Sequence, residues 1–211
     1  SGVDLSTLGP YDFGGKLKTA MTAHPKRDPL TGELFFFGAG VLEAALTYHR
    51  VDAAGVLVQT EKIPLPKAVM MHDFQLTPTH VIFMDLPILF DLGLAIDGES
   101  FPFRWAPENG ARIGVMPRTG TAADVRWIEI DPCFVFHTWN AFHDTSDAGI
   151  IHLDGIRYPE MWEKNANDFS SSGAPHRFSI DTNQAKVALT QLDDKLVEFP
   201  RIHPGMQGLF Y

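Results

Sequence analysis

The stretch Ala45-Leu46-Thr47-Tyr48-His49-Arg50-Val51, Asp52-Ala53-Ala54-Gly55, Val56-Leu57-Val58-Gln59-Thr60-Glu61-Lys62-Ile63 decides the fold class. Two strand-like runs flank a short turn signal, which is how an antiparallel hairpin reads. Working outward, Gly32–Phe37 is a strand on the N-terminal side. Ala68–Leu76 and His80–Leu86 flank Thr77-Pro78-Thr79, and Ala111–Met116 and Val125–Ile130 flank Thr119-Gly120-Thr121. Phe134–Trp139 and Ile150–Arg157 flank Asp144–Gly149, and His176–Ile180 and Lys186–Leu192 flank Asp181-Thr182-Asn183-Gln184. One helical turn is expected at Pro159–Asn167, while Phe90–Asn109 and Pro159–Pro175 read as long loops. Repeated hairpins with few helices mean an all-β fold: a sandwich, a barrel or propeller blades. Four-stranded blades repeat at roughly 40–50 residues, so the chain would hold three to four of them, with long loops inserted.

The composition is that of a globular protein: 211 residues, 45% hydrophobic and 20% charged. Seventeen Lys plus Arg against 26 Asp plus Glu give a net charge of −9, with no basic block. That excludes nucleic acid as an expected partner. A single cysteine, Cys133, rules out an internal disulfide framework and a thiolate-only zinc site. It fits a reducing, cytoplasmic location. No apolar run reaches the roughly 18 residues of a membrane span. No linker divides the chain, so residues 1–211 read as one domain. Ser1 at the start and the apolar Gly208-Leu209-Phe210-Tyr211 at the end give the expectation of a domain incomplete at both ends.

Nine histidines are many for this length, and none sits in a local zinc pattern. Three lie in apolar or tightly patterned settings: His24 before Pro25-Lys26, His72 in Met70-Met71-His72-Asp73-Phe74, and His137 in Phe134-Val135-Phe136-His137-Thr138-Trp139. Their separations of 48 and 65 residues are about one blade each. One histidine per blade at one height would converge on the axis, and neutral imidazoles there suit Fe(II), Cu(II), Ni(II) or Zn(II). The competing reading is three buried histidines, each hydrogen-bonded to a core partner of its own. A second constellation is His152-Leu153-Asp154, an H-x-D pair on one face of a strand, with His203 further on. It matches the 2-His-1-carboxylate iron site of oxygenases, and otherwise reads as a polar strand face near a hairpin.

Thr22-Ala23-His24-Pro25-Lys26-Arg27-Asp28-Pro29-Leu30-Thr31-Gly32-Glu33 resembles the first iron-ligand segment of the carotenoid cleavage oxygenases, a family that includes carotenoid and apocarotenoid dioxygenases and bacterial lignostilbene dioxygenases. Met71-His72-Asp73-Phe74 resembles the second ligand segment and Phe136-His137-Thr138-Trp139-Asn140-Ala141 the third. Glu198-Phe199-Pro200-Arg201-Ile202 resembles the segment whose glutamate supports the third ligand, and Ile113-Gly114-Val115-Met116-Pro117-Arg118 is closest to bacterial members. The resemblance implies a seven-bladed propeller with one Fe(II) held on its axis by four histidines. His24, His72 and His137 would be three of them, Glu198 would hydrogen-bond His137, and no organic cofactor is implied. The fourth histidine would lie beyond Tyr211, since His203 does not match its motif. The chain would then be the central portion of a family member, inactive on its own.

The chemistry so implied is cleavage of a C=C bond in a hydrophobic carotenoid, apocarotenoid or stilbene by O₂, giving two carbonyl products. Two other readings stand beside it: a non-catalytic propeller binding a hydrophobic isoprenoid or a protein, and an H-x-D oxygenase using His152 and Asp154. Finally, Leu86-Pro87-Ile88-Leu89-Phe90-Asp91-Leu92-Gly93-Leu94-Ala95-Ile96 is mostly apolar and too broken to span a bilayer. It reads either as packing beneath a loop or as a patch that dips into one leaflet. The acidic charge requires that any such peripheral contact be hydrophobic.

Overall fold

The computed structural model describes residues 4–41, 43–162 and 171–211. Its strands are β1 (Lys26–Arg27), β2 (Leu34–Ala39), β3 (Ala45–Val51), β4 (Leu57–Pro64), β5 (Gln75–Leu76), β6 (His80–Asp85), β7 (Ile88–Phe90), β8 (Phe103–Trp105), β9 (Ala111–Pro117), β10 (Arg126–Ile130), β11 (Phe134–His143), β12 (Ile150–Tyr158), β13 (Ala174–Asp181) and β14 (Lys186–Gln191). They form three four-stranded antiparallel blades, β1-β2-β3-β4, β5-β6-β9-β10 and β11-β12-β13-β14. A two-stranded β7-β8 sheet is inserted in the second blade. The chain is all-β, as its hairpin signals predict, and its sheets are blades of a propeller, as the resemblance implies.

Side chains alternate across a strand, and the second blade uses both of its faces. In β6, Val81 and Phe83 pack toward the first blade with Phe35, Phe37, Tyr48 and Phe74. Ile82 and Met84 pack toward the third with Ile151, Leu153, Phe178 and Ile180. This is why Val81-Ile82-Phe83-Met84 reads as a continuous apolar run: each face closes a different seam. Each such side chain contributes about 1.5–3 kcal/mol by leaving water. Polar bonds fix the first seam: Tyr48 donates to the Arg118 carbonyl at 2.9 Å, Gln59 to the Gly120 carbonyl at 2.8 Å, and Arg118 pairs with Asp28.

Three expectations change. Ala68–Leu76 is not one strand. Only Gln75–Leu76 pairs in the blade, and Val69 makes an isolated bridge to Leu89. The amides and carbonyls between are committed elsewhere, Met70 N–H to the Ile88 carbonyl and the His72 carbonyl to Thr22. Phe90–Asn109 is not a featureless loop: it holds a short helix, α1 (Leu92–Ile96), then β8. Asp91 caps α1, its side chain accepting from Leu94 N–H at 3.1 Å. The apolar stretch Leu86–Ile96 therefore divides. Leu86, Ile88 and Leu89 are buried in the seams, whereas Leu92 and Ile96 are 60% and 75% exposed. Pro159–Trp162 is not helical, and the rest of the expected turn at Pro159–Asn167, like much of Pro159–Pro175, lies outside the described residues.

Candidate metal centre

Each candidate histidine stands at the first strand of its blade: His24 just before β1, His72 just before β5, and His137 within β11. β1 and β5 are only two residues long, because the chain leaves the sheet to carry its histidine inward. Thr22 steers the first approach. Its N–H donates to the Phe37 carbonyl at 2.8 Å, and its hydroxyl accepts from His24 N–H at 3.2 Å and donates to the His72 carbonyl at 3.3 Å. His137 sits where the β11–β12 register shifts, between Val135 and Asn140. A bulge re-aims the side chain it carries. Gly155 lies opposite, where an added Cβ would meet Val135 Cγ1 at 3.1 Å and the His137 carbonyl at 3.4 Å.

The three rings meet. One nitrogen from each of His24, His72 and His137 lies within 4.8 Å of the others, with His24 Nε2 3.0 Å from His72 Nε2. Among the described residues this is the one group of three or more potential ligands so arranged. Burial pushes His72 down to about 4, and the neighbouring His24 and His137 rings add to the shift. Burial also lowers His24, against the opposing pull of Asp73. Neutral rings are the form that offers lone pairs to a metal. His137 Nδ1 lies 2.7 Å from Glu198 Oε2, which leaves Nε2 as the free lone pair.

Glu198 is held in turn by Tyr158, whose hydroxyl donates to Oε1 at 3.0 Å, and by Phe199 N–H, which donates to Oε2 at 2.6 Å. Burial first, and then the Glu198 charge, raises the Tyr158 phenol above its ordinary value, so it remains a donor. Phe136 meets the His72 ring edge-on at 5.4 Å, and Phe199 lies over His137 at 4.9 Å. A cavity of about 370 Å³ opens beside His24 and His137, its wall including Asp73, Phe199 and Arg201. Three convergent imidazoles, one with a ring nitrogen held by a carboxylate, fit a borderline divalent metal.

The H-x-D constellation does not assemble. His152 and Asp154 share a face of β12, but register gives them different partners, Ser179 and Arg177. His152 Nε2 is 2.9 Å from Asp144 and its Nδ1 3.0 Å from Ser179. Asp154 accepts two bonds from Arg177 at 2.8 Å and one from Tyr211 at 2.7 Å, so it is held by an ion pair away from His152. His203 Nδ1 accepts from Gly205 N–H within a turn of its own. Sequence reasoning missed Tyr158 and Thr22. Thr22 was in view, inside a quoted segment, but Tyr158 is 40 residues from Glu198 and no local pattern joins them.

Residues 2–211 match the protein family described as "Retinal pigment epithelial membrane protein". The carotenoid cleavage oxygenase of Mycobacterium tuberculosis is 32% identical over 250 residues, covering 97% of this chain and 49% of that protein. Carotenoid 9,10(9',10')-cleavage dioxygenase 1 of Arabidopsis thaliana is 34% identical over 214 residues, covering 97% and 39%. The Pseudomonas brassicacearum lignostilbene dioxygenase crystal structure superposes with a TM-score of 0.86 at 31% identity, covering 98% of this chain and 45% of that one. Cobalt-substituted Synechocystis ACO superposes with a TM-score of 0.83 at 28% identity, covering 98% and 46%. The chain thus spans about half the length, or less, of the relatives it matches. A relative that accepts cobalt and three convergent histidines here point to the same coarse conclusion, a metal site.

Proposed function

The chain belongs to the retinal pigment epithelial membrane protein family, the carotenoid cleavage oxygenases, and from that premise we propose that the protein containing it is an Fe(II)-dependent dioxygenase. Its substrate would be the C=C bond of a carotenoid, apocarotenoid or stilbene. The balanced reaction is R–CH=CH–R′ plus O₂ giving two carbonyl products, so no further reductant is required. The observation that carries this reading is the convergence of His24, His72 and His137 within 4.8 Å. These three would hold the iron, together with a fourth ligand from outside this chain. Iron bound there would supply the centre at which O₂ is activated beside the alkene.

The chain's own residues do the rest. Low proton affinity keeps His72 unprotonated at neutral pH, so no proton competes for its lone pair. Glu198 keeps the proton on Nδ1 of His137 and directs Nε2 inward. Phe136 and Phe199 pack against the rings of His72 and His137, giving the histidine cluster apolar neighbours. We place the protein in the cytoplasm, with helix α1 as its contact to a membrane that stores such substrates.

The test uses the full-length protein with a carotenoid, an apocarotenoid and a hydroxystilbene under ¹⁸O₂. The expected result is stoichiometric iron, O₂ uptake with one of the three, and label in both carbonyl products. Metal-free protein with no O₂ uptake would leave a binding propeller as the better description.

A further inference from the structure

We propose that Asp73 is a positioning residue that clamps the three histidine-bearing segments together, a role that rests on the metal-site reading above. Lys26 is two residues after His24, Asp73 directly follows His72, and Thr138 directly follows His137. These three neighbours meet one another. Asp73 Oδ1 lies 2.8 Å from Lys26 Nζ and accepts from Phe74 N–H at 2.8 Å. Asp73 Oδ2 accepts from Thr138 N–H at 2.9 Å and from its hydroxyl at 2.8 Å. A carboxylate has about four lone-pair sites, and all are used. Asp73 is 1% exposed, so its carboxylate is shielded from solvent behind the cavity wall, and its charge-assisted bonds are correspondingly strong.

One side chain therefore ties the first strands of three blades at the positions next to the ligands. When Asp73 and Thr138 lock together, the backbone from which the adjacent His72 and His137 project is held in place. The clamp differs from Glu198 in kind. Glu198 touches a ligand ring and adds negative charge to it, whereas Asp73 is matched by Lys26 and adds no net charge. Asp73 touches no ring; it fixes where the rings stand, and its pull on His24 is opposed by the charge of Lys26.

The test loads the metal-free full-length protein with Co(II), following affinity by titration and geometry by the visible ligand-field spectrum. Asp73→Asn keeps an acceptor for Thr138 but loses the ionic bond to Lys26. It should weaken Co(II) binding about 10–100-fold, the range for residues that orient ligands, and shift the ligand-field bands. Because Asp73→Asn leaves Lys26 without a counter-charge and could impair folding, Lys26→Met/Asp73→Leu serves as the second variant. It removes both charges at once, and should show the same spectral shift. Thr138→Val, which loses only the hydroxyl bond, should fall between these and wild type. Wild-type affinity and spectrum in a folded Asp73→Asn or double variant would overturn the clamp alone. Failure of the wild type to bind Co(II), or binding that survives His72→Ala, would overturn the metal reading and the clamp with it.

Discussion

Glu198 and Tyr158 show how far a single residue's role can be read before the chain is folded. Nothing local marks Glu198 as different from other acidic side chains near a strand end; the family resemblance of Glu198-Phe199-Pro200-Arg201-Ile202 picked it out. Tyr158 carried no signal, because its meeting with Glu198 depends on where β12 ends and where the segment after β14 returns. The H-x-D pair failed for a related reason. Alternation put His152 and Asp154 on one face, but pairing register assigned them to Ser179 and Arg177, and register is a tertiary choice. With the geometry known, the expectation at Glu198 is definite. Glu198→Gln retains an acceptor for the His137 N–H but loses the charge, so iron affinity should fall about 10–100-fold in competition with a chelator. Tyr158→Phe should cost less, because Glu198 keeps its bond from Phe199 N–H. Equal iron affinity in Glu198→Gln and wild type would remove the carboxylate from the site.

Helix α1 is the element where pattern reading went furthest astray. Five residues are too few to display a helical period, and Pro87 before the helix and Gly93 within it read as breakers. Strands were legible because turn signals bound short strand-like runs, and Ala45–Val51 fell at its predicted boundaries. The apolar run Leu86–Ile96 hid two different elements. Its first part is seam: Ile88 and Leu89 point to opposite faces of β7 and are buried in different clusters. Its second part is surface, since Leu92 and Ile96 share a helical face and remain exposed. If α1 enters a leaflet, Leu92→Ser/Ile96→Ser should release the full-length protein from liposomes while its iron content is unchanged. Liposome flotation checks the first and metal analysis the second. Leu89→Ser should instead lower the thermal midpoint, because it places a hydroxyl in a seam. A double variant that floats as well as wild type would mean that α1 is ordinary surface.

At the scale of the whole molecule, the blades stand because each inner seam is dry, and that dryness extends to the histidines. Burial lowers His24, His49, His72 and His80 below the ordinary imidazole value, His49 and His72 to about 4. Blade count was legible from hairpin repeats; this shared depression was not, because it depends on which residues the seams enclose. It has a signed consequence. Between roughly pH 6.5 and 4 an unfolded chain binds protons at His49 and His72 that the native fold refuses. Stability is therefore fully present above the unfolded value of about 6.5 and is lost progressively as pH falls toward 4. Bound metal would mask His24 and His72, so His49 is the clean reporter. It is fully buried, both ring nitrogens bond threonine hydroxyls, Thr19 at 2.8 Å and Thr60 at 3.1 Å, and it stacks on Phe36 at 4.8 Å. In the metal-loaded full-length protein, the urea midpoint should drop between about pH 7 and pH 5. Replacing His49 with Gln, which keeps polar atoms without a titrating ring, should flatten that drop by about one proton's worth of linkage. Gln should also lower the midpoint at pH 7, where the native imidazole is neutral and well partnered, so the two curves should converge as the pH is lowered. Parallel curves would show that the acid sensitivity arises elsewhere, and would separate the packing of His49 from its proton.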